Sequence, residues 1–267
     1  MNSFSLALND TATLLRRDFV RMLRYPVMTI SAVLMPVFFL LLFVYVLGGS
    51  MGAGLGASPG AGVPTTTYIN YILPGILLMA LAGGCSGTGV ETTLDMTEGL
   101  IARFRTLALS RNAVLNAKVI AGIARAWVAL LLIFAVAFLM GFRPNANLGQ
   151  WLGFVGLVTL LSLGYTWLAV ALGLLSKVPG ESNSYTSLLL VLPLVSSAFT
   201  HTASMAPGVR WFAEHQPMTP IIDSLRGFLL GAPVSSGTVL IAVAWCVGLA
   251  LIGYFWASSL YNREPRK

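Results

Sequence analysis

Charge is scarce in this chain. Asp, Glu, Lys and Arg make up only 9% of its 267 residues, and 16 bases outnumber 9 acids. Histidine and cysteine occur twice each. Two histidines are too few for a multi-ligand metal centre. Glu214-His215 does not have the His-Glu-x-x-His spacing, and His201 has no acid at regular spacing, so an intramembrane hydrolase lacks its base and nucleophile. Cys85 and Cys246 have no metal-ligand spacing and no partners for a disulfide framework; such thiols pack as small hydrophobes. The chain has no Gly-x-x-x-x-Gly-Lys-[Ser/Thr] loop, nor any Gly-Lys pair, which excludes a phosphate-binding loop of that kind. Interleaved basic and aromatic residues are also missing, so the net charge of +7 does not point to nucleic acid. Retention on the cytoplasmic side and contact with anionic lipid heads account for it.

What the chain does have is apolar length. Hydrophobic residues make up 57% of it, and the mean hydropathy is +0.82. About 20 apolar residues in a helix cross the ~30 Å hydrocarbon core of a bilayer. Six segments qualify: 26–48, 68–90, 119–141, 151–176, 185–204 and 237–261. A barrel would show short segments of alternating polarity instead. The expected fold is an all-α membrane protein with six transmembrane helices. The faint twin-arginine look of Arg16-Arg17-Asp18-Phe19 does not suit an export signal, because five more spans follow the first.

The bases set the direction. Arg16, Arg17, Arg21 and Arg24 precede the first span. Arg103, Arg105, Arg111 and Lys118 separate the second and third, Lys177 the fourth and fifth, and Arg263, Arg266 and Lys267 follow the sixth. The opposite loops hold only Arg143, Arg210 and Arg226. Both termini are therefore expected in the cytoplasm. This gives three parts: an interfacial helix over 1–25, a transmembrane domain over 26–261 and a basic tail over 262–267.

Between the spans lie the polar elements. At 100° per residue, Leu15, Phe19 and Met22 share one side of the N-terminal segment, and Arg17, Arg21 and Arg24 the other. That pattern suits a helix lying on the membrane surface, although it also serves as a plain topology anchor. In the loop 91–118, Leu100, Phe104 and Leu107 make one stripe, with Glu98, Ala102 and Arg105 opposite. A short helix parallel to the membrane and a solvated charged loop both fit. Before the last span, Thr219-Pro220 is expected to open a helix and Gly231 with Pro233 to close it. At ~16 Å it is too short to cross. Asp223 and Arg226, three apart, can pair on its surface, so it reads as an outer re-entrant or interfacial helix.

Span two carries Gly83, Gly84, Ser86, Gly87 and Thr88, and span five ends with Ser196, Ser197, Thr200 and His201. Such residues permit close helix approach, either within one chain or between chains. Pro74 and Pro193 can kink these spans. Arg125 alone lies clearly inside a span, and snorkelling toward the cytoplasmic end accounts for it. Glu91, at the inner mouth of span two, is placed to pair across the bundle. A proton-coupled carrier would keep more intramembrane acids and histidines than this.

Two blocks then carry a resemblance. One is Glu98-Gly99, followed by Arg103-Phe104-Arg105-Thr106-Leu107 and Ser110-Arg111, between spans two and three. The other runs from Trp211 through Glu214, Pro217 and Pro220 to Asp223-Ser224-Leu225-Arg226-Gly227. In this order they resemble the type-2 ABC transporter permeases, closest to the daunorubicin-resistance-type exporters. The similarity covers nearly the whole chain; Ala108 departs from it where proline often follows the Arg-Thr-Leu element. The resemblance implies that the loop forms a coupling helix seated in a cleft of a separate ATPase, through Glu98, Gly99, Arg103, Phe104, Arg105 and Arg111. The N-terminal helix, with Arg17, Arg21 and Arg24, would touch the same subunit. Spans two and five (Gly83, Gly84, Ser86, Gly87, Thr88, Ser196, Ser197, Thr200, His201) would line the translocation path or the interface of a permease dimer. The re-entrant helix with Pro220, Asp223, Arg226 and Gly227 would help close the exit. The implied partners are a second permease, as a homodimer, two ATPase copies and membrane lipids. No cofactor belongs to this chain, while ATP and magnesium sit on the ATPase. The expected function is export of an amphipathic drug-like or lipid-like molecule across the inner (cytoplasmic) membrane. Export of a polysaccharide or glycolipid, an ATP-independent carrier or channel, and a lipid-directed membrane enzyme are the alternatives.

Overall fold

A computed structural model describes residues 27–46, 65–98, 111–199 and 205–262, with single helical positions at Leu15, Val20 and Arg24. Among the described residues all regular structure is helical. Helix α1 spans Val27–Leu41 and ends in a π-helical turn, Leu42–Val46. Then come α2 (Thr65–Thr97), α3 (Arg111–Leu139) and α4 (Leu148–Leu175). Helix α5 (Pro179–Val191) runs into a 3₁₀ turn, Leu192–Val195. The last three are α6 (Pro207–His215), α7 (Met218–Leu230) and α8 (Ser236–Asn262).

Local chemistry sets several of these boundaries. Asn147 and Gln150 form a reciprocal capping box at the start of α4: the Gln150 N–H donates to Asn147 Oδ1 at 2.8 Å, and the Asn147 N–H to Gln150 Oε1 at 2.9 Å. Pro179 and Pro207 open α5 and α6 in the first turn, where a missing N–H costs nothing. Helix α7 ends at Gly231 with φ +70°, a left-handed conformation that glycine adopts without a Cβ clash.

Four described helices are long and apolar enough to cross a membrane: α2, α3, α4 and α8. They differ sharply in burial. Within its most apolar eighteen residues α2 is 83% buried, whereas α8 is 17% buried. Helix α2 is central, packed by α1, α3, α4 and α5. Helix α8 leans mainly on α4 through its buried Ala242, Cys246, Gly253 and Ala257. A Cβ on Gly253 would lie 2.7 Å from Trp167 Cβ, so the two backbones touch. The rest of α8 exposes Leu240, Ile241, Leu251, Ile252, Phe255 and Trp256. A continuous apolar face of this kind fits hydrocarbon rather than water, and small residues provide the helix contact.

The structure corrects several sequence expectations. The fifth span was expected over 185–204. Its α-helix starts earlier, at Pro179, and gives way to the 3₁₀ turn at Leu192, because Pro193 has no N–H for the ladder and its ring crowds the preceding turn. At Pro74, by contrast, α2 continues as helix. Helix α7 starts at Met218, so Thr219 is not its cap; the Thr219 hydroxyl donates to the Ala213 carbonyl at 2.5 Å. Helices α2 and α3 both extend into the expected loop 91–118, which makes Glu91, Asp95 and Lys118 helical residues.

Candidate functional site

Helix periodicity divides the small-residue face of α2. Gly83, Ser86, Gly87 and Val90 face α5 and α1 across a groove of about 620 Å³. Gly84 and Thr88 turn the other way. A Cβ on Gly84 would lie 2.7 Å from Ala126 Cα, and Thr88 Oγ1 accepts from Arg125 at 3.4 Å. Of the residues assigned to a path on span two, Gly83 and Ser86 line the groove and Gly84 and Thr88 pack on α3, while Gly87 does both: a Cβ there would lie 3.0 Å from Arg125 Nη1.

The groove has unlike walls. Helix α1 and the upper part of α2 present Met35, Phe39 and Met79, while α5 presents Asn183 and Ser187 beside Ser86. Among the described residues, no charged side chain lines it. Ser86 Oγ donates to Ala82 O at 2.7 Å and to Thr186 O at 3.3 Å, stitching α2 to α5. Below it the helices meet at glycine: a Cβ on Gly89 would lie 2.7 Å from the Ala169 carbonyl oxygen of α4.

At the Val90 end, two ion pairs join α2 to α3. Arg125 donates to both oxygens of Glu91 at 2.8 Å, and Lys118 Nζ lies 2.5 Å from Asp95. All four residues are buried, with Arg125 2% exposed. Glu91 and Asp95 are one turn apart on α2, and Lys118 and Arg125 two turns apart on α3, so the pairs stack as a ladder. Arg125 therefore does not snorkel; burial and a bidentate carboxylate hold it, as the position of Glu91 suggested. The chain avoids buried charge less than its composition suggests. Removing one partner of a buried pair costs ~3–5 kcal/mol.

The Met79 end is closed differently. The 3₁₀ helix is followed by a turn over residues 196–199, and three successive residues there are engaged by three elements. Arg226 of α7 donates to Ser197 O at 2.8 Å, and Ser197 Oγ donates to Asp223 at 2.8 Å. Ala198 meets α2, where a Cβ on Gly75 would be 2.5 Å from Ala198 Cβ. Phe199 stacks on Phe43, beyond α1, with centroids 4.6 Å apart. Arg226 also donates to Tyr71 O at 3.3 Å, lies 4.1 Å from the centre of the Tyr71 ring, and pairs with Asp223 at 2.9 Å. The Tyr71 hydroxyl donates to Ser197 O at 3.2 Å. The Asp223–Arg226 pairing expected from their spacing is present. Its side chains are 41% and 18% exposed, and partly solvated pairs of this kind contribute only ~0–1 kcal/mol.

The remaining assigned residues are dispersed. Ser196 Oγ donates to Pro193 O at 2.5 Å and accepts from the Ala198 N–H at 3.2 Å, which shapes the turn. Pro220 lies in the first turn of α7, where its carbonyl accepts from Ser224 at 2.7 Å. Gly227 leaves room for Val234, and its carbonyl accepts the Ala232 N–H at 3.0 Å. Glu98 is exposed at the end of α2, and Arg111 is the first residue of α3. Arg24 is exposed. Gly99, Arg103, Phe104, Arg105, Arg17, Arg21, Thr200 and His201 lie outside the described residues. His215 stacks on Trp211 at 4.9 Å, and its Nδ1 sits 2.8 Å from the Trp211 carbonyl. Both cysteines are buried free thiols.

Sequence reasoning missed the pairing of Asp95 with Lys118, both placed in the cytoplasmic loop 91–118. A signal was present: acids at 91 and 95, one helical turn apart, and bases at 118 and 125, two turns apart, each fall on one face of their helix and pair across the hairpin.

The family model of the ABC-2 type transporters matches residues 9–230. The chain belongs to that family. It is 29% identical over 254 residues to the daunorubicin resistance ABC transporter permease protein DrrB1 of Streptomyces coeruleorubidus, covering 93% of this chain and 84% of that protein. It is 22% identical over 251 residues to the probable doxorubicin resistance ABC transporter permease protein DrrC of Mycobacterium tuberculosis H37Rv, covering 94% and 87%. With its apolar helices, this is a multi-pass membrane protein of the ABC-2 permease type. Both relatives are named as ABC transporter permease proteins.

Proposed function

We propose that this ABC-2 permease is the membrane subunit of an exporter that moves an amphipathic, drug-like molecule out of the cytoplasm, driven by ATP hydrolysis on a separate chain. Family membership carries the exporter reading. The groove between α1, α2 and α5 carries the substrate reading: apolar and sulfur-bearing side chains face hydroxyl and amide groups, without charge, at a size near that of drug-binding pockets. The resistance to daunorubicin and doxorubicin in the names of the two relatives supports the same class.

Six spans remain the preferred topology. Helix α1 with its π-helical turn is 20 residues long, about 30 Å, and α5 with its 3₁₀ turn reaches a similar length. The excess of basic residues puts the ion-pair ladder and both termini on the cytoplasmic side of the inner membrane, and the 196–199 turn on the outside. Two permeases, identical in the simplest case, would meet along α2 and α5 and bind two ATPases through the segment around Glu98–Arg111 and the N-terminal helix. ATP closure would then shift the pair between inward-open and outward-facing states.

The test is reconstitution. The chain is co-purified with the ATPase expressed beside it, placed in liposomes, and supplied with daunorubicin and ATP. ATP-dependent drug movement supports the proposal. Movement without any ATPase, abolished by a protonophore, would support a carrier instead.

A further inference from the structure

A second cavity, of about 480 Å³, lies where the C-terminus of α7 meets the first turns of α4 and α8, and it shares no residue with the groove. Phe228, Val234, Val239, Leu240 and Val243 make it apolar. Its back wall is packed, since a Cβ on Gly153 would lie 3.0 Å from the Phe228 ring. Its floor is where α8 closes on α4: a Cβ on Gly164 would lie 3.2 Å from Leu249 Cβ. The front is open to the bilayer, because Leu240 and Val243 also belong to the exposed apolar face of α8. From Ser236 to Val243 that helix rises ~10 Å, so the cavity is a cleft running from the membrane interface into hydrocarbon. The mouth is polar. Gln150, in the first turn of α4, and Ser236, the first residue of α8, both line the cleft. The capping box fixes the Gln150 amide, whose Oε1 accepts the Asn147 N–H at 2.9 Å. Its Nε2 donates to no group among the described residues.

We propose that this cleft is a phospholipid seat: one acyl chain lies between α4, α7 and α8, and the Gln150 amide and Ser236 hydroxyl donate to the phosphate and ester oxygens above it. In the topology proposed above the lipid belongs to the outer leaflet, and the seat does not depend on what the groove carries. The order of the lining matches the ligand, with uncharged donors at the interface and only apolar side chains below. A cleft that opens sideways into the bilayer and offers no polar partners at depth is filled by hydrocarbon rather than water. Its front continues the lipid-facing surface of α8, so a chain enters from the bilayer without leaving hydrocarbon. The chain also completes the packing of the first half of α8, where only Ala242 and Cys246 are buried.

The test is photolabelling of the full chain in phosphatidylethanolamine liposomes that contain a trace of phosphatidylglycerol with a diazirine in one acyl chain. Labelled residues are mapped by mass spectrometry. Labelling of 228–243 should exceed that of the equally lipid-exposed 251–256 by about fivefold or more. Excess unlabelled phosphatidylglycerol should remove the cleft signal, whereas diacylglycerol with the same chains should not; this comparison needs no variant. Gln150→Glu keeps the acceptor that the cap requires but replaces both amide donors with a carboxylate, so cleft labelling should fall about fivefold or more. Val243→Trp, which fills the cleft, should do the same, while Ile252→Trp, on the exposed face of α8 outside it, should leave labelling unchanged. Thermal unfolding in lipid-free detergent separates lost binding from lost folding in each variant. Even labelling along α8 would mean ordinary boundary lipid and overturns the seat. So does unchanged labelling in both cleft variants, displacement by diacylglycerol as effective as by phospholipid, or displacement by daunorubicin, which would make the cleft a cargo site.

Discussion

Replacing Arg125 with methionine would leave the Glu91 carboxylate buried beside α3 without its guanidinium. The two side chains are 3% and 7% exposed, so water cannot take the place of the lost partner. Breaking a buried pair from one side costs ~3–5 kcal/mol. In a chain of this size each kcal/mol moves Tm by ~2–4 °C, so Arg125→Met should lower the apparent Tm in detergent by roughly 6–20 °C. The double variant Glu91→Leu/Arg125→Met removes both charges together and should recover most of that loss, because an apolar pair of similar volume is often neutral or better. Arg210–Glu214, an exposed pair on α6 with side chains 50% and 39% accessible, is the internal control; Arg210→Met there should cost under ~1 kcal/mol. Thermal unfolding of the purified protein, followed by tryptophan fluorescence, measures all three. If Arg125→Met melts with the wild type, or the double variant is as unstable as the single, then Glu91 and Arg125 do not form the buried pair described here.

Three further outcomes follow from particular contacts. Gly253→Leu would drive a side chain into Trp167 and the Leu168 amide, so it should separate α8 from α4 and sharply reduce folded yield. Gly156→Leu, where nothing lies within 4 Å of an added Cβ, should not; size-exclusion profiles distinguish them. Ser187→Trp, on the groove wall, should lower drug export several-fold without weakening co-purification of the ATPase, measured by pull-down and flux on the same preparation. Phe104→Ala with Arg105→Ala should disconnect ATP hydrolysis from export while the protein still inserts, because neither residue is needed to span the bilayer. Full coupled transport by that variant would remove the coupling role from the segment.

Much of the fold was legible because burial in lipid leaves long marks. Helices α2, α3, α4 and α8 follow from uninterrupted apolar length, and α7 from its short amphipathic stripe and Gly231. The misreadings share one cause. Asp95 and Lys118 look like residues of a cytoplasmic loop, and Arg125 like a snorkelling base, when each is considered alone, since an isolated charge belongs in water. Their burial depends on a partner 34 or 23 residues away. Pro74 and Pro193 show the same limit. Both remove a hydrogen bond; α2 continues through the first inside a crowded bundle, while the helix at the second gives way beside a turn that other elements hold.

The residues alone determined that the chain is helical and membrane-embedded, which way its bases favour it to lie, and which motifs align it with the ABC-2 permeases. Those properties come from composition, periodicity and order along the chain. Only the tertiary structure decided that, among the small residues of 83–88, Gly83 and Ser86 face the groove, Gly84 and Thr88 face α3, and Gly87 meets both. It also decided that four charges neutralise one another in the interior, and that Ser197, Ala198 and Phe199 are each held by a different element. Such facts depend on distances between segments far apart in sequence, and a one-dimensional pattern carries no information on who meets whom across a bundle.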